Sequence, residues 1–519
     1  MRRKVPPIFR AFTLSHCDAD RHSALGAGPV FVSAVALLAI VTLARCGGGA
    51  SSNSSPPPPT TTTCGTGGGG SGSTVSLPGA YALRPGAAGT FFGINTNVLA
   101  DPWPNVGVPL SSWRSLGGSV KWADINTGSG VYDFSRLDEW LSKAKASNTD
   151  VMFTVYATPS WASSRGVDSA SPNNCCAFLT QNGPGICDPP VDLNCDGTGS
   201  DQNFINFLTA LVQHVGPGTI RYWELWNEPN VASEWNGDAD CSSSGGTHPG
   251  DIVLARMARD LRTTVIALDP NAKFTTPAAT GETKAGDWLG HYLANTDGGT
   301  YADINAFHGY INSGVCPSDC PVAEDVGTEI DHLNSQLPAS SQGKPLFDTE
   351  GFWGSAKNSA GVRITAITDA DQQASFVARY YLIQMWKKVA KFYWWNWDID
   401  TESAFYDAKT NLLTAPGSAY VQIVQWTNGG AATVGTCSTN ASVSTQWTCT
   451  ITSPGGTAST AIWDTAQTCN AGTCSSAEVT LASIGLSSYN AYEDLFGNTT
   501  SISNGAVPVG LRPILLIQQ

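Results

Sequence analysis

Charged side chains are scarce in this chain: Asp, Glu, Lys and Arg make up 13% of its 519 residues. Those present lean acidic, 28 Lys and Arg against 42 Asp and Glu, for a formal net charge of −14. Binding to a phosphate backbone needs a basic face, so nucleic acid is not an expected partner. No Cys-x-x-Cys pair or His-rich spacing accompanies the cysteines, which leaves little basis for a structural zinc site. No strand-like run is followed by a Gly-rich phosphate loop, which argues against a nucleotide-binding doubly wound sheet. The apolar run at 30–43 has 14 residues, too few for a comfortable membrane span of about 20.

What is plentiful points elsewhere. The chain has 17 Trp, whose faces can stack on the apolar faces of pyranose rings. Its 14 cysteines fit an exported protein better than a cytosolic one. Residues 1–45 read as a signal peptide, with Arg2, Arg3 and Lys4 ahead of the apolar run. The run ends at Leu43-Ala44-Arg45-Cys46, similar to a bacterial lipobox, so Cys46 is the candidate lipidation site. Arg45 stands where that pattern has a small residue, and plain secretion is the alternative. The expected location is thus the cell surface or periplasm as a lipoprotein, or else the medium, with a lipid anchor as the sole membrane contact. Residues 46–75, almost entirely Gly, Ser, Pro and Thr, cannot bury a core and read as a tether.

Beyond the tether, strand-like and helix-like segments alternate. Strands are expected at 90–94, 110–116, 151–156, 220–226, 273–276, 304–310, 346–350 and 391–397. Helices are expected at 137–146, 203–215, 251–268, 288–295, 326–337, 371–389 and 417–426. Alternation predicts a parallel sheet, and eight units predict a (β/α)8 TIM barrel over residues 76–428. From about 429 to 519, Thr, Ser, Val and Gly alternate without helical period, which predicts a small C-terminal β-sandwich. Residues 76–84 could lend it one more strand. Cys316 with Cys320, Cys437 with Cys449, and Cys469 with Cys474 are candidate short-range disulfides; the pairing of Cys175, Cys176, Cys187, Cys195 and Cys241 stays open.

Two of the strand-like runs end in carboxylates. Tyr222-Trp223-Glu224-Leu225-Trp226 runs into Asn227-Glu228-Pro229, and Leu346-Phe347-Asp348-Thr349 into Glu350-Gly351. A pair of carboxylates at strand ends suits glycoside hydrolysis, which needs one acid and one nucleophile or base. Glu224 sits mid-strand and reads as structural. Asp348, two residues before Glu350 and on the same face by strand alternation, is its competitor, and the strand-end position favours Glu350.

These motifs, with Phe307-His308-Gly309-Tyr310, Arg114 and Thr158-Pro159-Ser160-Trp161-Ala162, resemble clan A glycoside hydrolases, family 39 and its relatives above all. The resemblance covers roughly residues 88–519. It implies that Glu228 is the acid/base and Glu350 the nucleophile of a retaining, two-glutamate double displacement. The carboxyls would then lie about 5–5.5 Å apart. It further implies that Asn227 bonds the sugar 2-hydroxyl, that Tyr310 donates to Glu350, that His308 orients the pair, and that Arg114 faces Glu350. The implied substrate is a poly- or oligosaccharide, a β-linked and xylan-related glycan by family, with no metal or organic cofactor in the chemistry.

Trp395 and Trp397, on one face of the last strand by alternation, are the candidate stacking platforms, with Trp161 and Trp103 behind them. Asp192, Asn194 and Asp196 match the first half of a calcium loop, but position twelve is Asn203 and no helix precedes it. The favoured reading there is an Asx- and Gly-rich loop. The rival to the enzyme reading is a non-catalytic carbohydrate-binding surface protein on the same barrel; the presence of both glutamates disfavours it. The Cys-bearing insertions at 163–202 and 231–250 are expected to line the cleft.

Overall fold

The structure, a computed structural model, describes residues 75–76, 91–104, 110–165, 185–311, 321–357, 363–399 and 403–519. The signal sequence, Cys46, nearly all of the tether and the Cys316/Cys320 pair lie outside the described residues.

The barrel strands are β1 (Phe92–Asn95), β2 (Ser112–Arg114), β3 (Asp150–Val155), β4 (Tyr222–Leu225), β5, β6 (Asn305–His308), β7 (Leu346–Gly351) and β8 (Lys391–Trp394). They pair in parallel in that order, and β8 returns to β1. β5 runs as two short pieces, Lys273–Phe274 against β4 and Ala279–Thr280 against β6. Isolated bridges Thr275 to Ile304 and Asn227 to Ala278 carry the gap between them and close the cylinder. This is a (β/α)8 TIM barrel.

The long helices are α1 (Ser135–Ala146), α2 (Gln202–Val215), α3 (Asp251–Leu268), α4 (Glu282–Asn295), α5 (Asp325–Gln336), α6 (Ala370–Trp386) and α7 (Ala415–Trp426), with single turns at Trp122–Ile125 and Gly237–Asp240. In α2, Phe204, Phe207, Leu208, Leu211 and Val212 are buried, the i, i+3, i+4 stripe that docks a helix on a sheet. α4 begins six residues before its apolar pattern does, because much of its first turn and a half is polar and exposed. α6 stops at Trp386, not 389, because Lys388 turns left-handed at φ 63°, a common way to end a helix. Among the described residues, no helix lies between β1 and β2.

Strand alternation sorts the barrel interior into layers. Met152, Tyr222, Ile304, Phe347 and Tyr393 fill the lower part as one apolar cluster. Gly93 makes room for it, since a Cβ there would lie 2.5 Å from the Tyr393 ring. Two residues further along β1, β2, β3 and β4 stand Asn95, Arg114, Thr154 and Glu224, all buried. The outward residues, such as Trp113, Phe153, Trp223 and Trp394, pack in the larger cluster with the helices.

β7 departs from simple alternation. Phe307 pairs with Asp348 but His308 pairs with Glu350, so Thr349 is an extra residue in a bulge. The bulge re-aims the strand. Asp348 points away from the barrel axis, to the Tyr380 hydroxyl at 3.3 Å and the Gln384 amide of α6, while Glu350 points in. The two carboxylates therefore do not share a face, which corrects the expectation from plain alternation.

The C-terminal residues form antiparallel sheets. One has six strands in the order Thr433–Thr439, Gln446–Thr452, Ala458–Asp464, Ile514–Ile517, Ala491–Glu493 and Thr499–Ser501. Ser476–Thr480 and Ala506–Gly510 pair in another. Ile462 and Leu516 of the first meet Val479, Val507 and Val509 of the second in a common core, the packing of a sandwich. Val75–Ser76 pairs with Leu412–Leu413 instead; residues 77–84 lie outside the described residues. Disulfides link Cys437 to Cys449 and Cys469 to Cys474, and a third joins Cys195 to Cys241. That third bond ties the insertion after β3 to the insertion after β4.

Candidate active site

The end of β4 is shaped by two residues in left-handed backbone conformations, Trp226 at φ 62° and Glu228 at φ 43°. Such conformations are unfavourable for side chains of this size and need outside support. Trp226 N donates to Val155 O at 2.8 Å and Glu228 N to Ala278 O at 2.9 Å. Trp226 Nε1 donates to Glu234 O at 2.9 Å, and Asn230 exchanges two hydrogen bonds with the Thr280 backbone. Glu228 is thus held from three neighbouring segments.

Arg114 is the hub of the buried layer. Its Nε donates to Glu224 Oε2 at 2.8 Å, its Nη1 to Glu350 Oε2 at 2.8 Å and its Nη2 to Asn227 Oδ1 at 3.0 Å. Thr154 Oγ1 donates to the same Glu224 oxygen at 2.7 Å. Glu224 is therefore a fixed counter-ion beneath the site, consistent with its mid-strand position. Tyr310 OH donates to Glu350 Oε1 at 2.6 Å. His308 Nδ1 lies 2.7 Å from Glu228 Oε1 and 3.5 Å from Glu350 Oε2, so the imidazole bridges the two carboxylates. One ligand atom each of Glu228, His308 and Glu350 lie within 4.8 Å of one another.

Burial dominates the electrostatics. It pulls His308 down to about 4, against Glu350 and with Arg114, so the ring is neutral at pH 7. It pushes the Glu350 carboxyl up, and His308, Arg114 and the Tyr310 hydroxyl work against it. For Arg114 burial disfavours the charge, yet Glu224 and Glu350 outweigh it and raise its pKa above the ordinary arginine value. Arg114 is thus a permanent cation touching Glu350.

By distance alone Glu228, His308 and Glu350 could ligate an ion. They fit one poorly, because the Arg114 guanidinium lies 2.8 Å from Glu350 and 3.4 Å from His308 Nε2. Asp192, Asn194 and Asp196 do not converge on a common point either. Asp192 Oδ2 accepts from Ser200 Oγ, Gln202 N and Asn203 N, and Asp196 Oδ1 from Thr198 N and Oγ1. Asn194 Nδ2 donates to Thr198 Oγ1. These bonds fix the loop and the start of α2, while Asp192 Oδ1 is buried without a hydrogen-bond partner.

The aromatic candidates divide. Trp395 is half-buried beside the core, at the mouth end of β8, where the Trp395–Asn396 peptide is cis. Trp161 is half-buried and donates from Nε1 to Asn126 O at 2.9 Å. Trp397 is not an open platform. It is 1% exposed, its Nε1 donates to Pro102 O at 3.0 Å, and its ring stacks on Tyr406. β8 ends at Trp394, so the alternation that paired Trp395 with Trp397 does not extend to them. Trp103 packs on Trp113 and Trp140.

Sequence reasoning also missed Glu234. It is buried beside the pair, and burial, then Glu228 and Glu350, raise its carboxyl well above the usual range. Only its place six residues past Glu228, before Trp235, could have drawn attention to it. A recess of about 1320 Å³ opens at the other end of the barrel, lined by Asp150, Arg221, Tyr222, Lys273 and Lys391 among others. It lies at the amino-terminal mouth, away from the carboxyl-terminal face where barrel enzymes do chemistry.

A structure of a family 39 glycoside hydrolase from the gut symbiont Bacteroides cellulosilyticus WH2 superimposes with a TM-score of 0.57 at 14% identity, over 85% of this chain and 83% of that one. The two share a fold. At that identity the likeness reaches no further than the fold. A family 30 subfamily 8 xylanase from Clostridium acetobutylicum matches at TM-score 0.46 and 14% identity, over 85% and 98% of the two chains. A family 51 arabinofuranosidase from Xanthomonas axonopodis pv. citri matches at 0.46 and 12%, over 86% and 97%. Likeness at those scores is too loose to bear on the site. No protein-family model matches the chain, and no curated protein does.

Proposed function

We propose that this chain is a retaining glycoside hydrolase acting on a poly- or oligosaccharide through Glu228 and Glu350. The observation that carries the reading is the approach of the two carboxylates, with oxygens within 4.8 Å, from the ends of two different barrel strands. That approach is what a direct attack by one carboxylate needs; an inverting pair stands about 6.5–9.5 Å apart to admit a water between them.

In this reading Glu228 starts protonated and gives its proton to the leaving glycosidic oxygen. Glu350, kept ionised by Arg114 at 2.8 Å, attacks the anomeric carbon and forms a glycosyl-enzyme. Water then attacks that carbon and loses a proton to Glu228, which restores both groups. Neutral His308, bridging the two carboxyls, fixes their separation, and Tyr310 sets the attack direction of Glu350. Asn227, anchored through Oδ1 by Arg114, offers its amide N–H groups to the 2-hydroxyl. Half-buried Trp395 and Trp161 are the stacking candidates for a sugar ring.

A β-linked, xylan-related glycan is the substrate class the family resemblance favours. The disulfides, three of them between described cysteines, suit an oxidising compartment, which supports export, with Cys46 as the proposed lipid anchor. The domain plan of a signal peptide at 1–45, tether at 46–75, barrel at 76–428 and sandwich at 429–519 belongs to the same proposal. The test is release of reducing sugar from a panel of β-glycans. Glu228→Gln and Glu350→Gln should each abolish it with folding intact; a wild type inactive on the whole panel would favour the binding-protein alternative.

A further inference from the structure

The chain doubles back directly after the acid/base candidate. Val231 N donates to Glu228 O at 2.9 Å and Glu234 N to Val231 O at 2.8 Å. Trp226 Nε1 closes the loop by donating to Glu234 O, and Trp235 packs edge-on against Trp226 at 4.5 Å. Two successive turns thus set Glu234 back over the end of β4, where it is 3% exposed. The Asn227 side chain lies beside its carboxyl. Asn227 Oδ1 already accepts from Arg114, so it is the amide N–H₂ that meets Glu234. The groups around this carboxyl are Glu228 and Glu350, with Tyr156 also within its field. The two-glutamate chemistry gives it no task.

We propose that Glu234 is a substrate-binding residue: its carboxyl and the Asn227 amide grip one hydroxyl of an uncharged sugar ring, and the three clustered carboxyls turn away a uronic acid ring. The inference rests on the glycosidase reading. A hydroxyl both donates and accepts, so it can bond a carboxyl and an amide N–H at once. A uronate would bring a second negative charge into the buried cluster, beside the ionised Glu350. Arg114 cannot answer it, being already shared between Glu224 and Glu350.

The test is kinetic. Wild type, Glu234→Ala and Glu234→Gln are compared on aryl β-xyloside and β-glucoside, their singly deoxygenated analogues, and aryl β-glucuronide. Glu234→Ala should lose about 10-fold or more in kcat/KM on the intact neutral glycosides, the range of one buried hydrogen bond. Glu234→Gln, which keeps a donor and an acceptor, should recover most of it. On the one analogue that lacks the gripped hydroxyl, Glu234→Ala should lose nothing further, the signature of a direct contact. The glucuronide should be turned over at least about 10-fold less well than the neutral glycosides. An equal loss on every analogue, or a glucuronide cleaved as fast as the glucoside, overturns the inference and leaves the glycosidase reading standing. If Glu234→Ala does not fold, Glu234→Asp, which draws the carboxyl back by one methylene, decides in the same way: a loss confined to substrates bearing the hydroxyl supports the contact, and a uniform or absent loss overturns it. A wild type that cleaves no glycoside brings down both.

Discussion

Arg114 Nη1 donates to Glu350 Oε2 at 2.8 Å, and both side chains are buried. The same guanidinium pairs with Glu224 on its other edge, so a single cation at the end of β2 compensates a carboxylate below the site and one within it. Removing one partner of a buried pair leaves charge without compensation, at about 3–5 kcal/mol. Arg114→Ala should therefore lose stability of that order in urea unfolding at pH 7. The loss should shrink toward acid pH, as Glu350 takes up a proton. Arg114→Lys, a point charge that cannot fork to both carboxylates, should fall between the two.

His308 gives a pH dependence with a definite sign. Its folded value is depressed to about 4 by burial, against an ordinary value near 6.5. The unfolded chain thus binds the extra proton first, and stability falls as pH drops from about 6.5 to about 4, by roughly 3 kcal/mol for this group. His308→Gln should flatten that part of the stability curve, measured by denaturant midpoint across the window. A slope unchanged in the variant would mean that the native ring takes up its proton normally.

Asp348 runs the other way. Burial raises it to about 8 against hydrogen bonds from Gly309 N, Gln384, Glu350 N and Tyr380. The native state binds the proton that the unfolded chain gives up near 3.8, so this group's contribution is full in acid and is lost as pH rises toward 8. Glu329, raised by burial and by Asp348 itself, adds to the same trend. Asp348→Asn should keep the bonds from the two backbone amides and raise stability at pH 8 more than at pH 5. Asp348→Ala should cost about 1–3 kcal/mol by removing the acceptor of the Glu350 amide and of the Tyr380 and Gln384 side chains. Both are read by thermal unfolding at the two pH values.

Cys195–Cys241 closes 46 residues of sequence, Cys469–Cys474 only 5. Chain-entropy arguments give the first roughly 4 kcal/mol and the second roughly 2. Replacing both members of the first pair with serine should lower the unfolding midpoint more than the same change in the second. Because that bond joins the insertions after β3 and β4, it should also expose residues 231–250 to limited proteolysis.

The eight strands could be read because β/α alternation and apolar runs are local properties. The place of Glu228 just past a strand could be read because Asn-Glu-Pro follows a strand-like run, and Arg114 stands on β2 against Glu350, a contact that only the family resemblance suggested. Three things were not legible. The bulge at Thr349, which separates Asp348 from Glu350, depends on pairing with β6 and leaves no trace in strand periodicity. Trp397 packs on Tyr406, nine residues later, so its burial depends on how the chain folds back after β8. Glu234 lies beside Asn227 only because two turns carry it back, a tertiary fact that six residues of spacing do not announce.

The central claim is direct attack by Glu350 on the anomeric carbon while Glu228 protonates the departing glycosidic oxygen. The most direct measurement is proton NMR of the first-formed anomer while the wild type cleaves a β-linked glycan. The account predicts that the new reducing end appears first in the β configuration and mutarotates afterwards. Initial appearance of the α anomer would mean inversion and would contradict the double displacement, whatever the distance between the two carboxylates.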